Sequence, residues 1–426
     1  GALLCILCVS ASFLPARADM SITHNVFGSG GTAIAVNPTS CPDSEAGGKV
    51  RDRIAKSARL FADSTRGVGW VVDGSGTELF GAGNSAELSV PVRESFGRMV
   101  IHATVARMWQ GGVVDLDALL HSYLPDRFPE NMLLVEFASL DEAATEPTST
   151  ANARSVEVTP ACDGVTRRGV YSLVTPSRAP TVRDVLDQSV GERPSTHRGT
   201  GTSCDDEARE QMVESIKQLH GPVLWNVPGE KFSYGDYVSD ITELVQEMDD
   251  TGRLIADIVH EWLFVPLRMP HSSITATDDG VVIATTVADV ALFFSAICGY
   301  QPPDASEVVF DRKTLQIFMS GVANTRSELG TNNARWTLGG AFELGRGILA
   351  SDPYLGGFYP DHSTNPWRAG ARVGQITVEP LQTSSGRQCV DFWAVDTYRG
   401  LATGGHFCVS DIQQKPAFDF RDELLW

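Results

Sequence analysis

Ser95-Phe96-Gly97-Arg98-Met99-Val100-Ile101-His102-Ala103-Thr104-Val105-Ala106-Arg107-Met108-Trp109 is the stretch around which this chain organises itself. Its apolar residues Phe96, Met99, Val100, Ile101, Ala103, Val105, Ala106, Met108 and Trp109 surround a helix on almost every side. A helix with that pattern is buried in a core, because no polar stripe is left to face water. Gly111-Gly112 ends it. Ser95 heads the helix and Arg98 follows one turn along the same face.

Working outward, Val68-Gly69-Trp70-Val71-Val72 and Thr77-Glu78-Leu79-Phe80 flank Asp73-Gly74-Ser75-Gly76. Two apolar runs around an Asp-Gly turn predict a β-hairpin. Residues 45–62 set Val50, Ile54, Ala58 and Phe61 on one helical face. On the other side, 138–180 is rich in Thr, Ser, Ala and Glu with little periodicity, and 192–207 is similar. Both read as long surface loops or insertions. Between them Thr181-Val182-Arg183-Asp184-Val185-Leu186 is a short helical start. Helical spacing returns in Tyr237, Ile241, Leu244, Val245 and Met248. It recurs from Gly252 to Phe264, where Pro266 is expected to stop the helix, and from Thr286 to Cys298. From about 336 the chain is strand-like and Gly-rich, with 370–378 and 389–395 the clearest runs. Strands early, helices in the middle and strands late predict one sheet made from both ends of the chain around a helical insert. No internal repeat is present.

Gly1 to Leu14 are mostly apolar and are followed by Ala16-Arg17-Ala18, which reads as a secretory signal peptide, residues 1–18, cut after Ala18. No stretch reaches the roughly 18 consecutive apolar residues of a membrane span. The mature chain, 19–426, is therefore expected to be secreted or extracytoplasmic, with no membrane insertion. With 42% hydrophobic and 20% charged residues it has the composition of a globular protein with a full core. A formal net charge of −19 disfavours nucleic acid as a partner, since binding it needs a basic face. Of eight cysteines, Cys5 and Cys8 leave with the signal. Cys41, Cys162, Cys204, Cys298, Cys389 and Cys408 remain, none spaced as C-x-x-C, so zinc and thioredoxin-type chemistry is not expected. In an oxidising compartment some should pair. Cys162 with Cys204 and Cys389 with Cys408 are the expected pairs, and Cys298, ending an apolar helix, reads as a buried thiol.

Several further motifs then fall into order. Ser95-Phe96-Gly97-Arg98 is followed by Gly112-Val113-Val114-Asp115-Leu116-Asp117 and Tyr123-Leu124-Pro125, then by 181–191. Pro228-Gly229-Glu230-Lys231-Phe232-Ser233-Tyr234-Gly235-Asp236 comes next, then Phe264-Val265-Pro266-Leu267-Arg268-Met269 and Thr285-Thr286-Val287-Ala288-Asp289-Val290-Ala291-Leu292-Phe293. The series resembles the serine β-lactamase and penicillin-binding-protein family, in its class C-like branch of esterases, peptidases and lactamases. The matches cover roughly 65 to 300, and six in the correct order are specific for fold where each alone is weak. The resemblance implies an α/β fold of the α+β, β-lactamase/transpeptidase-like type. In it an antiparallel sheet from about 45–94 and 336–426 is flanked by helices and joined by a helical subdomain over about 95–335.

It also implies a site. Ser95 stands at the family's nucleophile, with its N–H in the oxyanion hole, and Arg98 replaces the lysine of Ser-x-x-Lys. Tyr234 is the partner acid or base, Asp236 replaces an asparagine facing substrate, and His362 is the best-placed candidate for the third motif, ahead of Gly404-Gly405-His406. Arginine stays charged at any ordinary pH, so Arg98 orients and polarises but takes no proton. A cation beside Tyr234 would lower its pKa from about 10 and let it do so. Asp236, an acceptor only, is expected to pair with Arg98. Ser95 as a plain helix cap and Tyr234 as a hydrogen-bonded core ring are the structural alternatives. Two functions follow: a serine hydrolase acting on small-molecule or peptide esters and amides, or a catalytically inactive pseudoenzyme serving as a binding or scaffold protein. No cofactor or metal is expected. His260-Glu261 lacks the second histidine of a zinc-protease helix, and there is no Gly-x-Ser-x-Gly.

Overall fold

The structure is a computed structural model. It describes residues 45–65, 68–73, 76–81, 87–91, 95–141, 153–192, 203–233, 238–277, 280–299, 308–319, 321–324, 335–343, 348–350, 388–396 and 400–409. The expected hairpin is present: helix α1 (Glu45–Thr65) leads into antiparallel β1 (Val68–Asp73) and β2 (Gly76–Phe80). Strand β3 (Glu87–Pro91) precedes the buried helix α2 (Ser95–Gln110). Then come β4 (Leu133–Asp141), β5 (Arg154–Val158), β6 (Arg167–Val174), α3 (Val182–Leu186), α4 (Cys204–His220) and β7 (Val223–Leu224). Helices α5 (Val238–Met248), α6 (Ile255–Val259) and α7 (Val265–Leu267) follow, then β8 (Ser273–Thr277), β9 (Gly280–Thr286), α8 (Val287–Ile297) and α9 (Arg312–Phe318). The last strands are β10 (Gly321–Asn324), β11 (Arg335–Thr337), β12 (Phe342–Glu343), β13 (Ile348–Ala350), β14 (Gln388–Asp396) and β15 (Leu401–Val409).

Among the described residues, eight strands make one antiparallel sheet in the order β10-β11-β12-β13-β14-β15-β1-β2, so the two ends of the chain share it. Strand β1 shows why the sheet must be covered on both faces. Its residues alternate sides, yet Val68 to Val72 are all buried. On one side Gly69 lies under α1: a Cβ there would stand 2.5 Å from the Ala58 carbonyl oxygen. On the other, Trp70 stacks on Phe294 of α8 at 5.3 Å, and Phe294 also meets Trp393 at 4.9 Å. Trp70 and Trp393 both pair with Gly404, whose missing side chain leaves room between the two indoles. Gly404-Gly405-His406 thus lies on a central strand of the sheet.

A mixed α/β architecture results, as the sequence predicts. Helix α2 is the axis of the main core, with Met99, Val100, Ile101, Ala103, Val105, Ala106 and Met108 buried. Strand β3 pairs with β9 in a separate three-stranded sheet with β8, and the large sheet begins at β10, inside the span read as helical.

Three expectations are corrected. The stretch 138–180 is not a surface loop: it holds the end of β4, all of β5 and all of β6, which with β7 form a four-stranded sheet. One face of that sheet is covered by Ala208, Met212 and Ile216 of α4, so only alternate residues needed to be apolar, and the polar half hid the pattern. Likewise α4 starts at Cys204, inside the span read as a loop, with Ser203 as its N-cap. The helix before Pro266 does not stop there either. It passes through a π-helical turn, His260–Phe264, and ends at Arg268, in left-handed conformation at φ 55°. Proline has no N–H for the Trp262 carbonyl four residues back. Arg107 takes that carbonyl with its Nε at 3.3 Å.

Cys162 and Cys204 are disulfide-bonded, joining the β5–β6 connection to the start of α4. With Asp163 they would form the one metal-sized group of donors among the described residues, but a disulfide offers no thiolates. Cys389 and Cys408 sit opposite each other in the β14–β15 register, and Cys298 is buried at the end of α8. No helix among the described residues is long and apolar enough to cross a membrane.

Candidate active site

Helix α2 begins at Ser95, so the Ser95 N–H is among the helix's first backbone donors, which have no partner within the helix. Phe96 anchors this end: its ring meets Phe293 at 5.3 Å and Phe294 at 6.1 Å, both on α8. With that side fixed, residues 95, 98 and 102 share another face, at the i, i+3 and i+7 spacing of one helical stripe.

Arg98 is 6% exposed, and its guanidinium carbon lies 5.4 Å from the centre of the Trp336 ring. A planar cation over an indole is a cation–π contact that an arginine exploits with its whole face. One turn on, His102 is completely buried, and its Nδ1 lies 2.7 Å from the Leu338 carbonyl oxygen. Burial drives the His102 pKa down to about 3; the Leu338 bond opposes this, and the Arg98 charge adds to it. The ring is therefore neutral, with Nδ1–H donating to Leu338, and Nε2 has no hydrogen-bond partner among the described residues. Gly340, at φ 79°, seats the turn after β11 on this face. A Cβ there would come within 3.1 Å of the His102 ring and 3.4 Å of the Arg98 side chain.

Trp336 links this helix to the second motif. It is 1% exposed, and its Nε1–H donates to the Leu186 carbonyl at 2.9 Å. Its ring meets Phe232 at 5.9 Å. Beyond Leu186 the chain turns through Gln188, at φ 57°, and that turn binds the 225–233 segment through its backbone. Ser233 N–H donates to Gln188 O at 2.9 Å and Gly229 N–H to Ser189 O at 2.8 Å, while the amides of Trp225 and Asn226 both reach Gly191 O. Phe232 and Ser233 are buried at the end of this segment.

The same turn carries a cluster of carboxyls. Asp184, 2% exposed, accepts from both terminal nitrogens of Arg178 at 2.7 and 2.6 Å, and from the Thr181 N–H and hydroxyl at 2.8 and 2.9 Å. The Thr181 and Asp184 contacts form the capping box of α3. Asp187 is pushed up to about 8, by burial first and then by the Asp184 charge; the Ser189 hydroxyl bond and Arg183 oppose the rise.

Of the five residues that the sequence put forward, the structure describes two: Ser95, by its place as the first residue of α2, and Arg98, by its full surroundings. Tyr234, Asp236 and His362 lie outside the described residues. The neighbours that sequence reasoning missed are His102, Trp336, Gly340, Arg178 and Asp184. His102 had a signal, since it repeats the Ser95–Arg98 stripe four residues further on. Gly339-Gly340 directly after a strand was another, as a tight turn able to lie flat on a helix.

A family model described as Beta-lactamase matches residues 95–291, beginning at Ser95 itself. No curated protein matches the chain. Three solved structures are similar in outline. Simvastatin Synthase (LovD) from Aspergillus terreus is 14% identical, covers 88% of this chain and 96% of that one, with a TM-score of 0.48. A Beta-Lactamase/D-Alanine Carboxypeptidase from Pseudomonas syringae is 8% identical over 88% and 98%, at 0.47. A D-stereospecific amidohydrolase from Streptomyces sp. is 12% identical over 84% and 94%, at 0.43.

Proposed function

We propose, for a chain whose residues 95–291 are a β-lactamase-family region, that it is a serine hydrolase cleaving esters, amides or peptide bonds through an acyl-enzyme on Ser95. One observation carries the reading: Ser95 opens a buried helix at the family's starting position, with a buried cation one turn on. In the proposed reaction the Ser95 hydroxyl oxygen attacks the carbonyl carbon, and its proton passes to Tyr234. The Ser95 N–H, free of helical bonding at this end of α2, supports the developing oxyanion. The leaving group departs with a proton returned from Tyr234, and water then hydrolyses the ester on Ser95. Arg98 supplies fixed positive charge to this sequence and takes no proton. Asp236 and His362 complete the proposed site from the substrate side. The substrate is a small molecule or peptide, and the place of action is outside the cytoplasm, in keeping with the 1–18 leader pattern and the Cys162–Cys204 disulfide.

Labelling with a fluorophosphonate ester tests the reading. A covalent adduct on Ser95, absent in Ser95→Ala, supports the hydrolase. No adduct and no ester turnover sinks it and leaves the pseudoenzyme, a binding or scaffold protein on the same fold.

A further inference from the structure

Arg178 pairs with the Asp184 carboxyl and feels the charges of two more, and the three come from two different segments. Asp184 and Asp187 lie on α3 and the turn after it, and Glu230 lies on the segment leading to the second motif. The Asp184 bond is bidentate, the strongest geometry a guanidinium offers. Gly229 lies directly on this pair. Its φ is 81°, and a Cβ there would land inside the Arg178 guanidinium and 3.3 Å from Asp184 Oδ1. The positive φ favours glycine here, and the backbone lies directly against the ion pair. From Gly229 it is three residues to Phe232, whose ring rests on Trp336, which in turn stacks on Arg98. Tyr234 is the next residue but one in the chain.

We propose that Arg178 is a positioning residue for the reaction assigned to Ser95. Its guanidinium braces the 184–191 turn against the 228–233 segment and so holds Phe232 against Trp336 beside Arg98. Asp184 cannot do this alone. Without Arg178 the side-chain donors to its carboxylate are the Thr181 and Ser189 groups of its own turn, and the two segments are left with backbone bonds such as Gly229 N–H to Ser189 O. The inference rests on the serine-hydrolase reading for its catalytic part, whereas the tie between the two segments does not.

Two measurements on the full chain, carrying Arg178→Met or Arg178→Lys, separate these parts. Hydrogen exchange followed by mass spectrometry reads the tie. In Arg178→Met, peptides covering 225–233 and 335–341 should exchange about tenfold faster or more, while 95–110 is unchanged. The rate of fluorophosphonate addition to Ser95 across pH reads the positioning. It should fall about tenfold or more with unchanged half-saturating probe concentration and a displaced pH profile, and Arg178→Lys should recover most of the loss. Faster exchange with an unaltered addition rate and pH profile makes Arg178 merely structural and overturns the positioning role. Unaltered exchange overturns the tie. If the wild type takes no label at all, the serine reading fails, and exchange at 225–233 and 335–341 decides whether the tie stands.

Discussion

Replacing Trp336 tests how the candidate site is held together. Its indole is 1% exposed, donates to Leu186, contacts Phe232 and lies under the Arg98 guanidinium. Truncating a buried aromatic to alanine costs about 3–5 kcal/mol through lost burial and the cavity left behind. The Leu186 carbonyl, left without its donor in a buried place, adds roughly 1–3 kcal/mol. Trp336→Ala should therefore lose about 5 kcal/mol, close to the whole stability of many domains. Trp336→Phe keeps a ring against Arg98 but not the N–H, and should lose about 2 kcal/mol. Urea unfolding, followed by a probe distant from this tryptophan, measures both. A double-mutant cycle with Arg98→Met isolates the cation–π contact, for which a coupling of about 1 kcal/mol is expected. Two results would refute the reasoning: Trp336→Phe as stable as wild type, or a cycle additive within about 0.3 kcal/mol.

Three other perturbations are equally direct. Burial and Asp184 raise the Asp187 pKa from 3.8 to about 8, so its protonated form is the one the fold prefers. Between about pH 4 and 8 the unfolded chain has released that proton and the folded chain keeps it, so stability falls as pH rises through this window. Asp187→Asn should flatten that fall and stabilise the protein at pH 7–8; unfolding curves across pH with the same slope in both proteins would contradict it. Gly69→Ala puts a methyl 2.5 Å from the Ala58 carbonyl, a backbone atom that cannot swing aside. A loss of about 1–3 kcal/mol by denaturant titration is expected, and a loss below measurement error would mean that α1 shifts without cost. Changing Cys162 and Cys204 to serine opens a 42-residue loop, for which loop closure gives about 4 kcal/mol. Limited proteolysis should then cut within 154–220 before α2 is touched, and equal resistance of both proteins would count against a stabilising bridge.

Much of the frame was legible because it is written in local periodicity. The Asp-Gly hairpin, the all-round apolar helix from Ser95 and the helices at 238–248 and 287–297 each carry their own signal in adjacent residues. Strands β4 to β6 were illegible for the opposite reason. Each needs only one apolar face, and that face is completed by α4, which begins 30 residues after the end of β6 and 63 after the end of β4. The π-turn before Pro266 was hidden too, since the group that donates to the spare carbonyl, Arg107, comes from another helix.

The site divides along the same line. The order of motifs from Ser95 to Phe293 pointed to the family whose model matches residues 95–291, and Arg98 was visible as the residue standing where that family has a lysine, because both depend only on residue type and spacing. What the arginine does there depends on Trp336, Gly340 and His102. Two of these stand more than two hundred residues away, on a turn that only sheet closure brings onto α2. The sequence by itself thus determined that a charged side chain sits one turn beyond the serine. The tertiary structure decided that this charge is buried on an indole beside a neutral histidine, because burial and distance, which set a cation's role, arise only when distant segments pack.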